Sequence, residues 1–376
     1  ALIAVLSPEQ LSALALPQVG ALTTSQVQAL TTAQVRGLTS TQLNSLTTAQ
    51  VASMQTADVA ALSVTQVASL NTASVAALSS TQAQALTSAQ VAGLTTTQIG
   101  ALETADLSAM SSAQLAGLSV TQIGKLSTAQ VAALTTNEVS KLTTAQIAAI
   151  ETADLVKMTT AQIVALSTDH ASALTVSQVE NLTTAQIAAI ETADLVKMTT
   201  AQIAGLTSVQ ISALTTDQVI KLTTDQIQAI ETLDLQQMTT GQIAALTDTQ
   251  VPVVTTAQIA ALTTAQAAAL TTRLSNMTTA QIAAIETTAL VKMTTDQIVA
   301  LTTDQVPVLT VNQVENLTTA QIAAIQTADL EKMTTAQIAG LSSVQISALT
   351  TDQLIKLTTD QIQAIQTLDL QQMTTG

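Results

Sequence analysis

The chain has 376 residues, a net charge of −15 and no Phe, Tyr, Trp or Cys. The missing cysteine excludes a disulfide scaffold and thiol chemistry. The acidic balance, with basic residues scattered singly, argues against nucleic acid, which is bound by clustered Lys and Arg.

The opening Ala1-Leu2-Ile3-Ala4-Val5 is a leader segment too short for a signal peptide, and without an initiator Met it reads as a processed or fragmentary start. From Leu6 a period of eight takes over, as in ALTTSQVQ-ALTTAQVR from Ala21. Fixed-period self-similarity implies a stack of copies of one small unit. A first, degenerate array covers residues 6–141. In it Ser7 and Gln10 can cap a helix whose first residue is Pro8, where a missing N–H costs nothing. The same position accepts Val64, Val120 and Val176, as a non-capping site should.

A long repeat follows at 142–276. In Leu142-Thr143-Thr144-Ala145-Gln146-Ile147 the Thr143 hydroxyl can accept from the N–H of Gln146, whose side chain reaches back to the N–H of Thr143. That is a capping box. Leu142, before the cap, and Ile147, the fourth helical residue, pair as a hydrophobic staple. Thr183 and Gln186 repeat the box, and Leu182 with Ile187 repeats the staple. Each octad therefore predicts one very short helix of about six or seven residues, far below the ~12 that persist alone. The fold class expected is an all-α solenoid, or superhelix, with one helix per octapeptide repeat. The competing β-solenoid spends Gly, Asn or Asp at its corners, whereas this chain has ten Gly and abundant Ala and Gln, which favour helix.

Departures from the octad are few. Glu-Thr-Ala-Asp at Glu151/Asp154 and Glu191/Asp194, like Glu231/Asp234, reads as helix-start charge rather than a paired-carboxylate or Ca²⁺ site. Lys157, Lys197, Lys292 and Lys332 are expected in last turns, and Asp217, Asp225, Asp296 and Asp352 in first turns, each suiting the helix dipole. His170, the only histidine, occupies a glutamine slot and is expected to substitute in capping. One His and no Cys cannot build a metal site, and no cofactor is expected. Pro252 and Pro307 fall at a fifth helical position and predict loosened or 3₁₀ turns. The second Thr of each Thr-Thr pair, as at Thr159-Thr160, should face solvent.

The third segment, 277–376, is an incomplete copy of the second. Leu182 to Gly241 returns nearly unchanged as Leu317 to Gly376, with Leu317 and Ile322 as its staple pair. The offset is one residue short of seventeen octads, and the missing residue falls in the seven-residue stretch Leu270–Asn276.

These repeats resemble the long Leu-Thr-Thr-Ala-Gln-Ile-Ala-Ala-Leu octapeptide proteins of Gram-negative bacteria, often labelled haem-utilisation or adhesion-like exoproteins. The resemblance covers residues 6–376. It implies a secreted or surface-attached protein of structural or adhesive use and supplies no catalytic residues. The expected function is therefore a non-enzymatic structural protein, an extracellular stalk or self-assembling filament. Head-to-tail or lateral self-association would be its main partnership, with no nucleic acid and no membrane span. The alternative is an adhesive module whose Thr-rich surface binds ice or a surface glycan.

Overall fold

The computed structural model describes residues 2–366, which fall into two compact units, Ala1–Met198 and Thr199–Gly376. The end of the second sequence copy, with Met373, lies outside the described residues. Among the described residues the chain forms 42 α-helices and four 3₁₀ helices and no strand, one helix per octad. The architecture is the α-solenoid and not its β counterpart.

The α-helices are four to six residues long, slightly shorter than the octad spacing suggests. The Leu or Ile that ends each unit leaves the helical region, as Ile150 does at φ −60°, ψ 126°. Its N–H still reaches back three residues, 3.2 Å to the Ile147 carbonyl, so a tightened last turn closes the helix. That residue then stands just ahead of the next cap.

In both units the inward positions are the residue before the cap and the fourth helical residue. Leu142 and Ile147 are buried, as are Leu182, Ile187, Leu317 and Ile322. The cap and the next two residues, such as Thr143, Thr144 and Ala145, are exposed. Helices this short persist only because each apolar face is sheltered by others. The helix Thr144–Ala149 packs on Val120–Ile123, three octads back, and on Thr168–Ala173, three octads ahead.

The seven-residue unit is absorbed locally. Thr271–Asn276 is 3₁₀ helix, and the side chain of Gln281 bonds to Val251 and Val254, 30 and 27 residues back. At Gln242 these offsets are 31 and 28, at Gln297 the one bond reaches 29 back to Ala268, and by Gln305, bonded to Leu274 and Met277, they are restored. Pro252 and Pro307 sit in 3₁₀ turns, Val251–Val253 and Val306–Val308. These tight turns accommodate a residue that has no N–H to give.

A pairing between turns went unread in the sequence. At Pro8, Val64 and Val311 a bulky residue replaces Ser or Thr at the first helical position, and each meets a glycine of a later turn, Gly37, Gly93 and Gly340 in that order. A Cβ on Gly93 would lie 2.4 Å from Val64 Cγ1, on Gly340 2.7 Å from Val311 Cγ1, and on Gly37 2.9 Å from Pro8 Cβ. Gly93→Ala should therefore destabilise by about 1–3 kcal/mol, the usual cost of overpacking. Val64→Ser in the same chain should recover most of that loss in a thermal melt. Loss without recovery would contradict the pairing.

Candidate functional site

The polar feature that recurs in register with the core is the glutamine three residues after each cap. In the octad of Gln146, the Thr143 N–H donates to Gln146 Oε1 at 2.7 Å, and the Gln146 N–H donates to Thr143 Oγ1 at 3.2 Å. Thr183 and Gln186 repeat this at 2.9 and 3.2 Å, as do Ser7 and Gln10. Pro8 is the first residue of its helix, and Val64, Val120 and Val176 take the same position in theirs.

The rest of the glutamine does something the capping box does not require. Gln146 is 2% exposed, and its Nε2 donates to the carbonyls of Leu115, Ala116 and Leu118 at 3.2, 3.3 and 2.7 Å. Those residues end the helix Ser112–Ala116, four octads earlier. A helix C-terminus leaves its last carbonyls without partners, and here a glutamine from the next turn supplies the donor. Gln186 does the same to Leu155 and Met158, and Gln90 to Val59 and Leu62. In the second unit Gln353 reaches Ile322 and Ile325. One side chain thus starts its own helix and finishes another. Helices pack three octads apart while glutamines reach four, so a superhelical turn takes between three and four octads.

His170 fills the same slot with different chemistry. The Ser167 N–H donates to its Nδ1 at 3.2 Å, and its Nε2 lies 2.7 Å from the Leu142 carbonyl, 28 residues back. Those partners fix the tautomer: Nδ1 is bare and Nε2 carries the proton. Both ring nitrogens are spent on backbone.

The acidic octads require a fuller reading than helix-start charge. Asp154 stands in the glutamine slot, buried, and its Oδ1 accepts from Thr128 Oγ1, while Glu151 at the cap makes no side-chain cap bond. Asp58, Asp106, Asp194 and Asp329 occupy the slot too, and burial pushes their carboxyls above the ordinary range. The Oδ2 atoms of Asp58, Asp106 and Asp329 are buried without a hydrogen bond. Asp217, Asp225, Asp296 and Asp352 lie in first turns on the exposed side. Lys332 lies in a last turn, but Lys157, Lys197 and Lys292 fall two residues beyond four-residue helices. Those helices end early, and the lysines follow them in a turn.

Among the described residues no three His, Asp or Glu side chains converge as a metal would require, and no helix is long and apolar enough to cross a membrane.

A ladder of this kind defines a class: a structural repeat protein, an α-solenoid whose octads are joined turn to turn by glutamine. The chain belongs to the ALTTAQ repeat family, which matches it at residues 19–56, 51–88, 99–136, 147–184, 187–224, 227–264, 274–311 and 322–359. No curated protein matches the chain.

Proposed function

We propose that the chain is a non-enzymatic structural element, an extracellular stalk or self-assembling filament at the bacterial cell surface. The observation that carries this reading is the glutamine rung. It hands each helix its N-terminal cap and the helix four octads earlier its C-terminal one, so an octad added in register finds both partners. Such stacks gain stability from nearest-neighbour interfaces and extend without redesign. The duplication of Leu182–Gly241 as Leu317–Gly376 fits a protein selected for the number of its units. His170, the one side chain suited to general base chemistry near neutrality, is committed to two backbone bonds.

The alternative, a Thr lattice for ice or glycan, has the exposed Thr143-Thr144 type of pair in its favour. Against it, a turn of between three and four octads offsets the hydroxyls of successive turns by part of a unit. Negative-stain microscopy of the purified chain across a concentration series, with protease shaving of intact cells, tests the proposal. Filaments and removal by protease support it. Single particles at every concentration would leave only the stalk, and full protection in intact cells would overturn the reading. Thermal hysteresis or glycan-array binding would turn the reading toward the Thr surface.

A further inference from the structure

Seven slots of the first unit lack glutamine, and four of them share one ladder. Ser74, Asp106, Glu138 and His170 succeed one another at intervals of four octads, so they fill four consecutive rungs of one ladder, directly after Gln42. All four are buried, at 1%, 2%, 4% and 5% exposure.

Glu138 shows what the substitution does. It has the length of glutamine, and its Oε2 accepts from the Thr135 N–H at 2.6 Å, as a glutamine Oε1 would. A glutamine in this slot gives a proton from its amide nitrogen to the carbonyl 28 residues back, as Gln146 does to Leu118, and here that carbonyl belongs to Met110. A carboxylate has no proton to give, and no hydrogen bond reaches that carbonyl among the described residues. Asp106 repeats the defect one rung below. Its Oδ1 accepts from Ser80 Oγ at 2.9 Å, its Oδ2 has no partner, and the Leu78 carbonyl lacks the donor its counterparts have.

We propose that Asp106 and Glu138 form a proton-operated seam in the first unit, two consecutive rungs that are open when ionised and close when protonated. A neutral carboxyl restores the missing donor at Met110 and Leu78. The chemistry is that of glutamine, made conditional on pH.

The surroundings favour the neutral form. The helix Thr136–Val139 packs on Ser112–Ala116 and Thr160–Val164, and Thr104–Ala109 packs on Ser80–Ala85 and Thr128–Ala133. None of these four neighbours carries a charge. The charged groups at hand are Glu103 at the cap of the Asp106 helix and Lys141 after the Glu138 helix, and the neutral His170 ring lies one rung above. Burial is the leading cause that raises both carboxyls, and it outweighs the hydrogen bonds to Ser80 and Glu103 at Asp106 and to Thr135 at Glu138. With folded values above unfolded ones, the stability held by the neutral forms is full below the ordinary carboxylate range. It is lost as pH rises through the raised folded values.

The test compares thermal melts of the full chain with Glu138→Gln/Asp106→Gln, at about pH 7.5 and about pH 5. Gln18 already caps above a residue without a hydroxyl, donated to by the Ala15 N–H at 2.8 Å, so glutamine is tolerated over Glu103. The double variant should melt higher by ~5 °C at the upper pH, and the gap should shrink at the lower. Glu138→Gln alone should show about half the gain. The control, Asp169→Asn/Glu180→Gln, removes two exposed charges from the same unit and should give no comparable gain. No gap at neutral pH, a gap that persists in acid, or an equal gain in the control would each overturn the seam.

Discussion

Gln146→Ala is expected to destabilise the first unit by about 2–4 kcal/mol, more than loss of a helix cap explains. The box accounts for about 1 kcal/mol of that. The remainder comes from leaving the Leu118 carbonyl buried without its donor, at about 1–3 kcal/mol, whereas the Leu115 carbonyl still accepts from the Leu118 N–H at 3.1 Å. Thr143→Ala separates the two terms, since its hydroxyl serves only the start of its own helix. It should cost about 0.5–2 kcal/mol. Gln146→Glu keeps the box acceptor and loses the turn-to-turn donor, so its defect at neutral pH should diminish in acid. Denaturant melts of the three variants measure the differences. Equal costs for Gln146→Ala and Thr143→Ala would mean the glutamine does no more than cap.

Ile147→Ala is expected to cost about 2–5 kcal/mol, the range for deleting a large aliphatic side chain from a packed interior. Ile147 is fully buried, and its place in the helix Thr144–Ala149 faces neighbours three octads away on both sides. Stability in a repeat stack is nearly a sum of unit and neighbour terms, so the loss should be local before it is global. Hydrogen exchange should quicken in the octads that pack on this helix, around Val120–Ile123 and Thr168–Ala173, and change little near the helix Thr56–Ala61. The exposed neighbour Ala145 offers the contrast, since Ala145→Ser should move the melt by less than about 0.5 kcal/mol. Uniform quickening across the unit would contradict a nearest-neighbour stack.

The local unit was legible because its signals are short-range. Thr143, Gln146, Leu142 and Ile147 lie within a single octad, and each position has a stereochemical reason to hold that residue type. The box reading of Gln146 was sound but incomplete, because one carboxamide oxygen satisfies a capping box and leaves the nitrogen unexplained. The nitrogen's partners lie in the turn below, and an eight-residue period alone does not say how many octads make a turn. Two signals could have fixed that number. The bulky-residue and glycine pairs, such as Val64 with Gly93, recur at one fixed separation. Four of the first unit's seven non-glutamine slots, Ser74, Asp106, Glu138 and His170, recur at four octads.

The same gap explains the reading of Asp154. Within its own octad a carboxylate three residues past a cap is helix-start charge, and that is adequate. Only the turn below shows that the slot is an interior one, where a shorter acceptor replaces a donor. Lys157, Lys197 and Lys292 missed their last turns for a local reason, since their helices stop after four residues.

The most direct measurement is nuclear Overhauser contact from the Gln146 carboxamide protons in a selectively labelled chain. The account predicts cross-peaks to the α-protons of Leu115 and Leu118, 31 and 28 residues back, together with slow solvent exchange. Cross-peaks confined to Thr143–Ile147, with rapid exchange of the same protons, would contradict it.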